Sequence, residues 1–231
     1  MPYLRALQRF CGFRVRIRGN TQRIKSATVI IANHVSQLDG LPFAMIQSVR
    51  PRVLVRTTYR DYTFAHAVLS TLADPIFVPP PSMQASEKRI AHDRVQRQIR
   101  QHLSKRSGAP LVCFPEGSIT NGKGLMRFER FVFGLGHKIL PAVIRVQAPF
   151  PLALDTIWSP LPMNIARMLF QPWHVFDVQL LPSMEARGDE TAESFARRAQ
   201  LLIAEELHVP ATSFSTADKA AAINRLKSAS R

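Results

Sequence analysis

The sequence has no run approaching the roughly 18 uninterrupted apolar residues that a membrane-spanning helix needs. Its opening, MPYLRALQRFCGF, also lacks the apolar block of a secretory signal. The chain as it stands therefore does not read as an integral membrane protein. Cysteine is scarce: Cys11 and Cys113 lie far apart and have no metal-ligand spacing. Two such thiols fit a reduced compartment, cytosolic or facing the cytosol. His66, His92, His102, His137, His174 and His208 form neither HExxH nor a paired i, i+4 arrangement, so no metal is expected. No GxSxG elbow occurs anywhere, and Ser36 and Ser118 lie outside any such turn, which argues against a serine hydrolase. There is no internal repeat and no low-complexity linker.

Acids are few as well. Against 31 Lys and Arg stand 16 Asp and Glu, a formal charge of +15, and within residues 1–60 eleven basic residues face Asp39 alone. Such a balance raises the local concentration of polyanions. Nucleic acid, an anionic membrane surface and phosphorylated small molecules would all be attracted, and charge does not choose among them. The most basic helical stretch, SEKRIAHDRVQRQIRQHLSKR, places Ile90, Val95, Ile99 and Leu103 on one stripe. It lacks aromatic residues other than histidine between its cations, so bases have a poor stacking platform. It reads as a solvated helix, and no nucleic-acid partner is expected.

What the sequence does have is a regular alternation. Short apolar runs at 13–18, 27–32, 52–57, 75–78, 110–114, 139–146, 151–157 and 174–181 read as strands. Amphipathic stretches at 2–11, 38–48, 60–72, 85–106, 160–170 and 190–207 read as helices. The pattern is that of an α/β protein with a central, mostly parallel or mixed sheet flanked by helices. With 46% hydrophobic residues and 231 residues in all, one compact domain is expected. The first helix sets Tyr3, Leu4, Leu7, Phe10 and Cys11 against Arg5 and Arg9. That amphipathic pattern suits a helix lying on a membrane and equally an ordinary surface helix packed on the core. Trp158 and Trp173 flank SPLPMNIARMLFQP, which fits an interfacial belt less well than core packing.

Two strand ends carry chemistry. In ATVIIANHVSQLDG, a buried run delivers His34 to a strand end, where open α/β sheets place their ligands. Asp39 follows five residues later, and a continuous helix would turn the two side chains about 140° apart, so a strand-to-helix turn is required for them to meet. Folded back to one imidazole nitrogen, the carboxylate would fix the tautomer and stabilise the imidazolium, making His34 a general base. The same residues also fit a local turn in which Asp39 caps the next helix. LVCFPEGSITNGKG repeats the architecture: an apolar strand stops at a proline, then come Glu116, Gly117 and Ser118. The glycine permits a positive φ or a close approach of backbone to ligand, and Ser118 offers a hydroxyl.

Taken together, NHVSQLD resembles the HxxxxD motif of glycerolipid acyltransferases, and FPEGS resembles their FPEGT motif. The later stretches TNGKGLMRF, ILPAVIRVQAPFPLAL and FARRAQLLIAEELHVPATSFSTADKAAAINRLK are similar to the lysophosphatidylcholine acyltransferase and ancient ubiquitous protein branch, so that the likeness covers residues 27–227. The resemblance implies a glycerol-3-phosphate acyltransferase-like fold. It also implies His34 as the base that deprotonates an acceptor hydroxyl, with Asp39 as its partner. Glu116, Gly117 and Ser118 would form the acceptor site, and Arg127 is a further candidate for binding substrate. The implied substrates are acyl-CoA and a lysophospholipid at a peripheral membrane or lipid-droplet surface, on the cytosolic face of the endoplasmic reticulum or of a droplet, with no other cofactor and no metal. A thioester needs no covalent enzyme intermediate when alcohol and base are well placed, so one His-Asp pair suffices chemically. The implied organisation is a basic amphipathic segment at 1–26, an acyltransferase domain at 27–212 and a helical tail at 213–231.

Two departures stand out. IFVPPPSM puts Pro79 to Pro81 where the family usually has an arginine, leaving Arg56, Arg60, Lys88 and Arg127 as partners for an acceptor phosphate. Glu129, Arg130 and Phe131 replace the usual lysine, proline and glycine. The same resemblance admits a second role, that of a catalytically weak lipid-droplet or endoplasmic-reticulum adaptor linked to ubiquitin-dependent quality control.

Overall fold

The computed structural model describes residues 12–46, 51–57, 70, 73–79, 83–104, 109–150 and 161–229. Runs of branched and aromatic residues become seven strands: β1 (Phe13–Arg18), β2 (Val29–Ala32), β3 (Arg52–Arg56), β4 (Asp74–Val78), β5 (Leu111–Cys113), β6 (Ile139–Gln147) and β7 (His174–Leu180). Between them lie α1 (Gln22–Ser26), α2 (Leu41–Ile46), α3 (Ala85–Ser104), α4 (Leu161–Leu169), α5 (Ala192–Leu207) and α6 (Thr216–Ala229), with a 3₁₀ turn at Val132–Leu135. The strands read from sequence match to within two residues at each end. The helix read at 2–11, the strand read at 151–157 and nearly all of the helix read at 60–72 lie outside the described residues.

The strands form one sheet in the order β1-β7-β6-β2-β5-β3-β4. Every neighbouring pair is parallel except β6 and β7, which run antiparallel with Ala142 opposite Leu180 and Gln147 opposite Val175. The fold is thus α/β with a mostly parallel sheet, and helices cover both of its faces.

Alternation along the strands splits the core in two. Ile30, Ala32, Val112, Leu140, Ile144 and Phe176 pack with α1, α2 and Met168 of α4 on one face. Val29, Ile31, Leu111, Cys113, Ile139 and Val143 pack with α3, α5 and the 3₁₀ turn on the other. Phe43 and Phe176 on the first face and Phe195 on the second are at most 1% exposed, each stabilising by about 1.5–3 kcal/mol. Helix α5 is bounded as its sequence dictates: the Thr191 hydroxyl accepts from the Ser194 amide at 3.2 Å, and His208 closes it in the left-handed conformation with φ 58°.

Asn33 fixes the end of β2. Buried at the last step before His34, it donates to the Ile144 carbonyl at 2.9 Å and accepts from the Ile144 amide at 2.7 Å, imitating one more residue of strand pairing to β6. The parity of β2 then sends Asn33 to the α5 side and His34 to the side of α2 and α4.

Candidate active site

His34 and Asp39 meet in a turn, because α2 does not begin until Leu41. One carboxylate oxygen of Asp39, Oδ2, receives three donors: His34 Nδ1 at 2.9 Å, the Val35 amide at 2.7 Å and the Ser36 amide at 2.9 Å. Asp39 is fully buried, and its Oδ1 has no hydrogen-bond partner among the described residues. A carboxylate only accepts, so Nδ1 of His34 is the donor, and the neutral ring then carries its lone pair on Nε2. The imidazole stacks on Phe114, with centroids 4.5 Å apart and planes 17° from parallel, and its side chain is 20% exposed. Orientation and access are thereby combined: the buried carboxylate and the Phe114 ring hold an imidazole side chain that is still partly exposed.

The second motif closes on the first. Oε1 of Glu116 accepts from the His34 amide at 2.8 Å and Oε2 from the Met126 amide at 3.1 Å. The Thr120 amide and hydroxyl both donate to the His34 carbonyl, at 2.8 and 3.3 Å. The backbone of His34 is therefore held on both sides by the turn that begins at Pro115. Glu116 itself is fully buried, between these two amides and the wall of a cavity. Burial pushes its carboxyl up to about 7, with the Asp39 charge adding to the rise; the two amides and Lys219 pull it back.

Gly117 adopts φ +64°, and a Cβ there would stand 3.1 Å from the Thr216 methyl, so only glycine fits the turn unstrained. Its carbonyl accepts from the Arg56 guanidinium at the end of β3. Of the four basic residues considered for an acceptor phosphate, Arg56 bonds to this turn. Arg60 and the Lys88 side chain lie outside the described residues. Arg127 has an exposed side chain and an amide that donates to the Phe214 carbonyl at 2.9 Å. Glu129 seats its amide on the Pro115 carbonyl at 2.8 Å and accepts from the Thr216 hydroxyl at 3.2 Å, so this departure from the family pattern still closes the turn.

Sequence reasoning does not single out Phe114, Thr120 or Lys219 as part of the site. Lys219, on α6 and only 6% exposed, donates from Nζ to the Ser118 hydroxyl at 2.9 Å and to the Ile119 carbonyl at 2.5 Å. The strap before α6 carries it there: Leu125 donates to Pro210, Thr212 to Leu125 and Arg127 to Phe214, while the buried Gln200 amide donates to the Leu125, Met126 and Thr212 carbonyls. Nothing local in the sequence signals a contact spanning a hundred residues. The lone apolar-flanked lysine in STADKAAAI was the available hint.

A cavity of about 340 Å³ lies on the other side of β2, lined among others by Asn33, Val35, Thr120, Gly122, Arg145 and Leu207. It takes in the neighbours of His34 but not His34 itself. Among the described residues no cluster of His, Cys, Asp and Glu is arranged to hold a metal, and no helix is long and apolar enough to cross a membrane.

The sequence profile of the Acyltransferase family matches residues 13–145, spanning both turns. A Caenorhabditis elegans homolog of the lipid droplet-regulating VLDL assembly factor AUP1 is 28% identical over 98% of this chain and 54% of its own length. The Danio rerio factor of that name is 34% identical over 55% of this chain and 30% of its own. The lysophospholipid acyltransferase LPEAT2 of Arabidopsis thaliana is 27% identical over 88% of this chain and 36% of its own. The chain thus spans about half or less of the length of these relatives. Among solved structures, the 1-acyl-sn-glycerophosphate acyltransferase PlsC from Thermotoga maritima shares the fold, with a TM-score of 0.55 at 14% identity, over 89% of this chain and 78% of that one.

Proposed function

This chain belongs to the acyltransferase family, and from that membership and the geometry around His34 we propose that it moves a fatty acyl group from acyl-CoA to the hydroxyl of a lysophospholipid at a membrane or lipid-droplet surface. The observation that carries the reading is the 2.9 Å bond from His34 Nδ1 to a buried carboxylate, on a side chain that remains partly exposed.

In this reading Nε2 of His34 takes the proton of the acceptor hydroxyl as its oxygen attacks the thioester carbonyl. The tetrahedral intermediate collapses, the carbon-sulfur bond breaks and the CoA thiolate recovers the proton from the imidazolium. Asp39 holds the ring and stabilises its cationic form, so no covalent enzyme intermediate is needed. Acyl-CoA is a co-substrate, and no resident cofactor enters the reaction. Glu116 shapes the acceptor turn through two backbone amides, while Gly117, Ser118, Arg56 and Arg127 are the groups proposed to face the acceptor and its phosphate. The cytosolic face of the endoplasmic reticulum or of a droplet is the proposed site of action.

A second reading, a catalytically weak adaptor at the droplet surface, is favoured by the similarity to the factor from Caenorhabditis elegans along nearly the whole chain. One experiment separates them. Purified protein is given labelled acyl-CoA donors with a panel of lysophospholipids. Transfer by the natural protein, falling by about 10²-fold or more in His34→Ala, upholds the enzyme. Flotation with droplets and no transfer from any donor and acceptor pair upholds the adaptor.

A further inference from the structure

Helix α4 is turned inside out. At about 100° per residue, Pro162, Met163, Ala166, Leu169 and Phe170 fall within an arc of about 120°, and this apolar arc faces solvent. Phe170 is 86% exposed, and Met163 and Leu169 expose half or more of their surface. The opposite side of the helix tucks Asn164 and Met168 into the protein, both essentially buried. An ordinary surface helix does the reverse. The backbone amide of Phe170 continues the last turn by donating to Ala166 at 2.9 Å.

The arc extends onto neighbouring loops that are pinned in place. Gln171 and Phe150 exchange two hydrogen bonds, with the Phe150 amide donating to the Gln171 carboxamide at 3.1 Å and that carboxamide donating back to the Phe150 carbonyl at 3.3 Å. Exposed Phe150 and half-exposed Trp173 therefore stand with the end of α4. The Met168 carbonyl is tied to His174 Nε2 at 2.6 Å, and the His174 ring stacks on Phe13 with centroids 4.6 Å apart. A fixed apolar surface of this kind on a water-soluble fold marks an interaction site.

Its position says what it meets. Strand β6 runs past the end of β2 to Gln147, and β7 starts beside it, so Phe150, Phe170 and Trp173 stand at the same end of the sheet as His34. The Ser36 hydroxyl lies 3.8 Å from Met168 Sδ, which puts α4 on the same face as the His34 turn. Gly12, just before β1, stands at this end too. That glycine is packed so closely on Pro172 and Trp173 that a Cβ would lie 2.2 Å from the Pro172 carbonyl oxygen. Arg167 flanks the arc on α4.

We infer that the outward face of α4, with Phe150 and Trp173, is the surface on which this protein seats itself on an anionic phospholipid membrane, beside the opening to His34. Apolar side chains enter the acyl boundary, and Arg167 beside them, on a chain of formal charge +15, favours anionic head groups. The inference rests on the lipid-surface part of the proposed function, and its test reads binding without turnover. A variant with Trp158→Phe leaves Trp173 as the reporter and is mixed with phosphatidylcholine vesicles containing phosphatidylserine. Emission should shift to the blue, be quenched by lipids brominated on the acyl chain, and weaken with salt. Adding Met163→Ser and Phe170→Ser should lower partitioning by about tenfold or more at an unchanged melting temperature, whereas Leu201→Ser, exposed on α5 across the sheet, should leave it intact. Unchanged partitioning in the double serine variant, or a Trp173 that brominated lipid does not quench, would overturn the inference and assign the patch to a protein partner. Natural protein that partitions through the patch yet transfers no acyl group upholds the surface and overturns the acyltransferase reading alone.

Discussion

His34 is joined to Glu116 through its backbone amide, at 2.8 Å, and not through its ring. The two turns therefore share a strut: the carboxylate of one holds the main chain of the other, while the imidazole is held separately by Asp39. The arrangement divides labour between the acidic residues, Asp39 acting on the ring and Glu116 on the position of the residue that carries it.

Replacing Glu116 by alanine strands two buried amides, those of His34 and Met126. Each unpaired donor costs about 1–3 kcal/mol, so the melting temperature should fall by about 4 °C or more. Scanning calorimetry on the two proteins measures it. A residue that only bound the acceptor would raise KM and leave the melting temperature alone.

The raised carboxyl of Glu116 makes stability depend on pH with a definite sign. Between about 4.5, the ordinary value, and about 7 the folded protein retains a proton that the unfolded chain has released. Stability from this group is therefore complete below about 4.5 and is lost as pH rises through about 7, a change of about 3 kcal/mol. Subtracting the stability of Glu116→Gln at each pH isolates it, because the buried His174, whose lowered pKa makes the opposite contribution, cancels in the difference. Urea titrations at intervals from pH 4 to 8 should show the difference falling across that window.

Much of this site is legible in the sequence, and the limits have physical causes. The strand ends at Ala32 and Cys113 follow from short apolar runs stopped by Asn33 in one case and Pro115 in the other, and spacing alone requires a turn between His34 and Asp39. The direction of Glu116 is not legible. A glutamate after proline reads as projecting, but the amides of His34 and Met126, supplied from elsewhere in the chain, draw it inward. Pairing direction is hidden for a similar reason. Strands β6 and β7 are joined through α4, a connection that suggests a parallel crossover, yet they pair antiparallel. Helix α4 shows how pattern misleads: its apolar residues recur at helical spacing and read as core-facing, while the buried polar Asn164 marks the inner side.

Asp39→Asn should separate orientation from charge. An amide oxygen can still accept from His34 Nδ1, Val35 and Ser36, and the amide nitrogen would take the place of Oδ1, which has no partner among the described residues. Acyl transfer should drop by about 10²-fold or more in kcat with KM little changed, because the imidazolium loses its counter-charge. Asp39→Ala should lose stability in addition, since it also releases the two turn amides. Steady-state kinetics beside thermal melts of both variants give the comparison.

Lys219 offers the sharpest test of how α6 takes part in the site. Its ammonium holds the Ser118 hydroxyl and the Ile119 carbonyl, and its charge opposes the rise of the Glu116 carboxyl. Lys219→Met removes both effects at once. Leaving those acceptors without their donor should cost about 1–3 kcal/mol, visible in a melt. Loss of the cation should also carry the Glu116 titration to higher pH, so the difference against a Lys219→Met, Glu116→Gln double variant should fall later than it does in the natural background. Lys219→Arg keeps the charge and should return the titration toward its natural position even where its larger head group packs less well. A lysine that merely filled space would lower the melting temperature in both variants and leave the titration of Glu116 where it was. Because the two readouts respond to different properties of one side chain, a shift in the titration that arginine reverses identifies the charge of Lys219 as what positions and tunes the turn.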